Sequence, residues 1–297
     1  GGVNTIAVRV NNTGANSRWY SGSGLFRPVS LLTTTSDVHL ATWGGVYITT
    51  PDVKLISSSL DSENTTLVHA TTYISLVVHN DGKSDSKPVQ ASVKLYRSDD
   101  PNTIVATGSS TTDKGIPASG SANLSISIPP KTALAAWGPS QPVLYTAEVS
   151  LSLAEAGGVI QTVKEVYGYR SFSFSASTGF AINGEAMKLY GGCVHHDNGP
   201  LGSKAIARAE ERRVELLKAN GYNAIRTSHN PVSRAFVEAC NKHGVMLMEE
   251  AFDCWAQGKN VDDYNRHFEE WWQRDVTSMV IASSDRPFCL SHCLLVV

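Results

Sequence analysis

The stretch that decides the fold is Gly221-Tyr222-Asn223-Ala224-Ile225-Arg226-Thr227-Ser228-His229-Asn230-Pro231. In it the apolar pair Ala224-Ile225 is followed by the polar residues Arg226 and His229. Pro231 comes next, and proline is favoured at the start of a helix. Polar side chains directly after a short apolar run are typical of a buried parallel strand that ends at a binding site. The stretch therefore predicts a strand, a polar strand end and a following helix.

A strand and helix pattern continues on both sides of this stretch. Residues 205–220 predict one helix and residues 232–243 predict another, because apolar side chains recur on one face of each. The apolar run at residues 245–248 predicts a strand that again ends in acids, Glu249 and Glu250. In a (β/α)8 barrel the carboxyl ends of the strands form the catalytic face, so these charged residues are candidates for a binding site.

Three motifs carry a resemblance to a known family. They are residues 189–197 (Leu-Tyr-Gly-Gly-Cys-Val-His-His-Asp), residues 223–231 and residues 250–255 (Glu-Ala-Phe-Asp-Cys-Trp). Together they resemble glycoside hydrolase family 2, the β-galactosidase, β-glucuronidase and β-mannosidase group, and most of all a β-galactosidase. The resemblance implies that residues 174–280 are the N-terminal part of a TIM (β/α)8 barrel catalytic domain, about three strand–helix units long.

The chain before this region has the pattern of antiparallel β-structure. Alternating apolar and polar residues, separated by turn signals, predict an immunoglobulin-like β-sandwich over residues 52–173. Its predicted strands lie at residues 66–70, 72–79, 89–96, 104–110, 122–128, 144–153 and 159–166.

Residues 1–51 resemble the C-terminal part of the family's sugar-binding jelly-roll domain. Residues 5–10 alternate and predict a half-buried strand, and a glycine-containing loop at residues 17–27 places Trp19 beside arginines. Aromatic rings stack on sugar faces, so Trp19 could contact a ligand; alternatively its ring packs between this domain and the barrel. The expected architecture is multidomain, β plus α/β: the end of a jelly roll, an immunoglobulin-like sandwich and part of a TIM barrel.

The resemblance ends after about Val280. Residues 264–281 predict a third helix, whose aromatic stripe suits a protein core. The family then has a fourth strand ending in Asn-Glu, which carries the acid/base carboxylate, whereas residues 281–297 have a different sequence. We interpret them as an aberrant tail caused by a frameshift or a gene-model error. By resemblance this fragment, truncated at both ends, lacks both catalytic glutamates and is expected to be inactive.

By the same resemblance, the substrate-binding residues are His195, Asp197, Arg226, His229 and Glu250. They would line the subsite of a terminal sugar, where arginine and histidine bind hydroxyl or carboxylate groups. Pairing of Arg226 with one of the two consecutive glutamates inside the barrel is an alternative that does not exclude binding. Consecutive strand residues point to opposite faces, so those two glutamates are not expected to form a catalytic pair.

The resemblance implies that the full-length parent hydrolyses terminal β-glycosidic bonds, most of all β-galactosides, with retention. Two alternatives stay open: a non-catalytic carbohydrate-binding remnant, and a parent that is a β-glucuronidase or β-mannosidase. A homo-oligomer of the parent also stays open. No cofactor is expected, and no metal, because His195-His196-Asp197 lacks a further ligand at suggestive spacing.

Composition excludes several other classes of protein. The net charge of −2 and the lack of any block of Lys or Arg argue against binding to nucleic acid or anionic lipid. The sequence contains no run of about 18 apolar residues, so it does not indicate a transmembrane helix. The 5 cysteines are odd in number and scattered, which fits neither a disulfide framework nor a CxxC metal site. The sequence begins without Met, so it leaves the compartment undetermined.

Overall fold

The computed structural model of the chain describes residues 3–11, 24–60, 66–154 and 157–284, with the side chains of residues 57–60 and 283–284 left out. The predicted Trp19 contact and residues 285–297 of the predicted tail lie outside the described residues. The strands are β1 (Val38–Leu40), β2 (Val46–Thr49), β3 (Lys54–Leu60), β4 (Thr66–His69), β5 (Thr72–Asn80), β6 (Val89–Arg97), β7 (Asp100–Thr111), β8 (Gly120–Ile128), β9 (Leu134–Ala135), β10 (Tyr145–Leu153), β11 (Val159–Tyr167), β12 (Phe172–Ser175), β13 (Gly179–Ile182), β14 (Glu185–Ala186), β15 (Gly191–Val194), β16 (Ala224–Thr227) and β17 (Met246–Met248). The helices are α1 (Ala207–Ala219), α2 (Arg234–His243) and α3 (Asn265–Ser284), and Gly199–Leu201 forms a 3-10 turn.

Two antiparallel sheets pack face to face over most of the region before β12. One has β8 and the β1/β2 pair on opposite sides of β5, and the other has the order β11-β10-β6-β7. Buried and exposed residues alternate along β5, β6 and β8, and the buried side chains of both sheets form one apolar core. Every strand predicted between residues 66 and 166 is present, because this alternation is imposed by the two-sided strand geometry. The assignment of these layers to an immunoglobulin-like domain remains a prediction.

The N-terminal boundary of this sandwich differs from the prediction. β1 pairs with the end of β5 and β2 pairs with its beginning, so strands from residues 38–49 belong to the sandwich sheet. The sandwich therefore begins near Val38, not at Asp52. The predicted strand at residues 5–10 is wrong, since residues 3–11 have no strand hydrogen bonding and Ile6 is 87% exposed. Alternation alone does not make a strand, because the backbone also needs a pairing partner.

Trp137 joins the sandwich to the strand–helix region. Its side chain is fully buried, and its indole Nε1–H donates to the carbonyl oxygen of Asn241 at the end of α2, 2.9 Å away. Its backbone N–H donates to the carbonyl oxygen of Tyr169 at the exit of the sandwich. The ring packs in a second apolar core with residues such as Phe180 and Phe236. Through its backbone and its side chain, this single residue therefore contacts both parts of the chain.

The strand–helix region is built around the parallel sheet β15-β16-β17, entered through the antiparallel sheet β12-β13-β14. The predicted strands and helices are present here, with ends that agree within about three residues. One helix start was predicted too early: α2 begins at Arg234, not at Val232, because the Ser233 hydroxyl caps it by accepting from the backbone N–H of Phe236. Gly244, at φ 66°, ends the same helix. Within the described residues, no helix is long and apolar enough to cross a membrane.

Candidate active site

The carboxyl ends of the three parallel strands meet at one edge of their sheet. Val194 of β15 lies opposite Thr227 of β16, and Arg226 lies opposite Met248 of β17. The residues that follow these ends are consequently brought into one cluster, although they are far apart in the sequence. His195 follows β15, and His229 follows β16.

Glu250 is the centre of this cluster. Its Oε1 lies 2.6 Å from Nε of Arg226, and its Oε2 lies 2.8 Å from Nδ1 of His229. The Arg226 contact is an ion pair and not an aligned hydrogen bond, since this Nε–H has no acceptor in hydrogen-bonding geometry among the described residues. Of the two glutamates that the sequence offered to Arg226, the structure selects Glu250. The carboxylate thus connects a cation and an imidazole in one site.

His195 and Asp253 complete the cluster on the other side of His229. The rings of His195 and His229 meet edge to face, with centroids 5.4 Å apart. Burial, and then the positive charge that His229 can carry, lower the pKa of His195 and favour its neutral form. Asp253 Oδ1 lies 3.9 Å from Nε2 of His229 and 3.2 Å from the ammonium nitrogen of Lys259. Lys259 had no signal in the sequence, because it lies on an irregular loop well past the strand end.

Asp197 and His196 have local roles in the loop after β15. The Asp197 Oδ1 accepts a hydrogen bond from the backbone N–H of Gly199, 2.8 Å away, and so shapes its own loop. Its proposed contact with a sugar remains a prediction. His196 points away from the cluster and packs edge to face on Phe26. Burial, assisted by the charges of Arg27 and Arg213, lowers the pKa of His196 to about 4.

Behind the same loop lies a buried polar brace that the sequence analysis missed. Arg213 on α1 donates from Nη2 to the backbone oxygen of His195 at 2.6 Å, and its Nη1 lies 3.4 Å from Oε2 of Glu210. Glu210 is 5% exposed and accepts from the side-chain amide of Asn198 at 3.0 Å. Charged residues on an amphipathic helix normally face solvent, so the sequence offered only the i,i+3 spacing as a signal. The brace fixes the backbone that presents His195.

Glu249 and Glu250 follow the end of β17, and the two side chains have different partners. Oε1 of Glu249 accepts from the backbone N–H of Val232, 3.3 Å away. Glu249 borders a cavity of about 1190 Å³ between the sandwich, α2 and α3, whose lining includes Asp253 but not Arg226, His229 or Glu250. The cavity is therefore separate from most of the cluster at the strand ends.

The described residues also contain one group with the composition of a metal site. Glu211 and Glu215 on α1 and His243 at the end of α2 place one ligand atom each within 4.8 Å of the others. Lys242 and Arg208 already pair with these carboxylates, at 2.8 Å each. The group is therefore electrostatically balanced by protein cations, and ordinary ion pairing on the helix surface accounts for these contacts.

A parallel sheet connected by helices, with charged groups at the carboxyl ends of its strands, is an arrangement found in (β/α)8 barrels. Residues 176–285 match the family described as "Glycosyl hydrolases family 2, TIM barrel domain". This segment is a family 2 barrel segment, and the resemblance drawn from the sequence motifs is confirmed.

Particular relatives match nearly the whole chain. A β-galactosidase of Bacteroides ovatus, BoGH2A, is 33% identical over 286 residues, which are 96% of this chain and 31% of the relative. A protein of Formosa agariphila named as a putative β-glucuronidase is 31% identical and is covered to 25%. The crystal structure of a glycosyl hydrolase family 2 member from Bacteroides cellulosilyticus superimposes with a TM-score of 0.76 at 33% identity, over 94% of this chain and 33% of that one. The chain thus spans about a third or less of the length of these relatives.

Proposed function

We propose that this chain supplies part of the sugar-binding site of a family 2 β-glycosidase that acts on terminal β-galactosides. The observation that carries the proposal is the cluster of Arg226, Glu250, His229 and His195 at the carboxyl edge of a family 2 barrel sheet. In such barrels this edge is where substrates bind. A guanidinium group and imidazoles supply donors and acceptors for sugar hydroxyl groups.

The acids of the cluster suit binding better than hydrolysis. A retaining glycosidase needs two carboxyl groups about 5 Å apart, facing the anomeric carbon of the sugar. Glu250 and Asp253 instead approach opposite nitrogens of the His229 ring, at 2.8 Å and 3.9 Å. The imidazole of His229 therefore contacts both acids, so they do not face one another as an acid and a nucleophile would. We therefore propose that residues 1–297 by themselves bind sugar without hydrolysing it, which is also what a carbohydrate-binding remnant would do.

A titration tests the binding half of this proposal. The chain, labelled with 15N, is titrated with methyl β-galactoside and followed by NMR. Replacing Arg226 with Ala removes a charge-assisted donor and is expected to weaken binding about tenfold or more. Arg208→Ala is the matched control, because that arginine is exposed on α1 and pairs with Glu215. Equal affinity of the two variants and the unmodified chain would remove Arg226 from the site.

A rate measurement tests the proposal that the chain by itself does not hydrolyse the sugar. The chain is incubated with a nitrophenyl β-galactoside, and no release of nitrophenol above the uncatalysed rate is expected. Turnover that disappears in the Glu250→Gln variant would contradict the proposal and would give this carboxylate a catalytic role. The same assays with a β-glucuronide and a β-mannoside distinguish the other family 2 substrate classes.

A further inference from the structure

Phe26, which precedes the sandwich in the chain, contacts the connection between β15 and α1. Its backbone oxygen accepts from the backbone N–H of Ala205, 2.8 Å away, near the end of this connection. Its ring meets the His196 ring edge to face near the start of the connection, with centroids 5.8 Å apart. The same connection carries His195. A residue from the N-terminal part of the chain therefore touches both ends of the loop that presents this histidine.

Arg27, the next residue, contacts the neighbouring connection, between β16 and α2. Its Nη2 donates to the backbone oxygen of Pro231, two residues after His229. The backbone N–H of the following residue, Val232, donates to Oε1 of Glu249 over 3.3 Å. One cation and one carboxylate thus hold adjoining backbone groups in the loop that presents His229.

The charge of Arg27 suits this position. Contact with the loop removes part of the guanidinium group from water, which lowers its pKa, and the negative charges of Glu249 and Glu210 act in the opposite direction. An arginine stays protonated in proteins, so its donor to the carbonyl oxygen is charge-assisted and stronger than a neutral one. Phe26 is 39% exposed, which is more than a core residue would be. The two contacts therefore bear on the geometry of the loops more than on the apolar core.

We propose that Phe26 and Arg27 form a clamp that fixes the loop after β15 relative to the loop after β16, with Arg27 as the positioning residue. Strand register sets where the strands end, whereas residues beyond those ends are held by the contacts of their loops. The rings of His195 and His229, 5.4 Å apart, are each carried by one of the clamped loops. The effect on sugar binding rests on the proposed function, whereas the positioning of the two loops does not.

NMR of the complete chain tests the positioning. Arg27→Met keeps a long side chain beside Phe26 but removes the charge and the donor. The field of an aromatic ring changes steeply with distance and orientation, so the ring protons of His195 and His229 report on the spacing of the two loops. Their signals are identified by their loss in the His195→Gln and His229→Gln variants. We expect the signals of both rings to shift in Arg27→Met.

Arg208→Met is the matched control for the loss of an arginine. That side chain is exposed on α1 and pairs with Glu215, so its removal is expected to leave the signals of both rings in place. Ring signals of His195 and His229 that are the same in Arg27→Met as in this control would overturn the proposal.

A conservative variant shows whether the donor is what matters. Arg27→Lys keeps a cation that can donate to the Pro231 carbonyl, so we expect both histidine ring signals to return part of the way to those of the unmodified chain. Signals in Arg27→Lys as far displaced as those in Arg27→Met would contradict positioning by this hydrogen bond. The lysine variant also carries the test if Arg27→Met does not fold, because a lysine lacks the planar fork of arginine and is expected to give a smaller shift of the same signals.

Titration with methyl β-galactoside separates the clamp from the proposed function. Arg27→Met is expected to weaken binding about two- to tenfold, the range that the loss of one hydrogen bond gives. Displaced ring signals in Arg27→Met, together with no binding by the unmodified chain, would refute the proposed function and support the clamp. Equal affinities of Arg27→Met and the unmodified chain would instead refute the effect of the clamp on sugar binding and leave the proposed function standing.

Discussion

Truncation of Trp137 is expected to be among the most damaging single changes in this chain. The indole is 0% exposed, and its Nε1–H donates to the backbone oxygen of Asn241 over 2.9 Å. Trp→Ala changes in protein cores cost about 3–5 kcal/mol, because packing is lost and a cavity remains. Against a typical stability of about 5–15 kcal/mol, Trp137→Ala is expected to remove a large fraction of the free energy of unfolding.

A second variant separates the hydrogen bond from the packing. Trp137→Phe keeps most of the ring volume but leaves the Asn241 carbonyl without this donor, so we expect a smaller loss of about 1–3 kcal/mol. Trp43→Ala is the matched control, since that side chain is 61% exposed and its removal is expected to change stability by less than about 0.5 kcal/mol.

Urea unfolding followed by circular dichroism measures all three variants. The side chain packs in the core of the strand–helix region, whereas the backbone of Trp137 bonds to the sandwich exit, so its truncation is expected to destabilise the strand–helix region first and to separate the unfolding of the two regions into two transitions. A loss for Trp137→Ala no larger than that for Trp43→Ala would refute the packing argument. Equal losses for Trp137→Phe and Trp137→Ala would show that the hydrogen bond, and not the ring volume, accounts for the effect.

Three further predictions concern the sandwich, a helix end and a buried imidazole. Residues 36–173 are expected to unfold cooperatively on heating, whereas residues 52–173 are expected to aggregate or melt earlier, because removing β1 and β2 uncovers one whole side of β5. Gly244→Ala is expected to cost at least about 1–3 kcal/mol in urea unfolding, since φ is 66° and the new Cβ would lie 2.6 Å from a backbone oxygen; Gly202→Ala, at φ 58° but in open space, measures the strain alone. For His196 the folded-state pKa of about 4 lies below the ordinary histidine pKa of 6.5, so the unfolded chain binds more protons between these values. Melting temperature is therefore expected to rise from pH 4 to pH 6.5, and His196→Asn is expected to flatten that rise; an equally steep profile in the variant would contradict the assignment.

The sequence predicted those elements whose pattern is set locally. The long strands of the sandwich were predicted because alternation along them is complete, as in β5 and β8. The ends of α2 were predicted to within about two residues, because Gly244 and the polar stretch before Arg234 are local signals. β1 and β2 were missed because each is only 3 or 4 residues long and a glycine turn separates them. Residues 5–10 show the converse error, an alternating pattern that has no pairing partner in the described part of the chain.

By itself, the sequence determined that Arg226, His229 and Glu250 lie at strand ends. The interior of a buried parallel strand is apolar, so charged residues after a short apolar run mark the end of the strand. Only the tertiary structure decided that Arg226 pairs with Glu250, that Arg213 holds the backbone of His195, and that the Trp137 indole reaches Asn241. The reason is physical: strand and helix propensities act over a few neighbouring residues. These contacts instead join residues 18 to 104 positions apart, and their geometry is fixed by strand register and by how helices pack on the sheet.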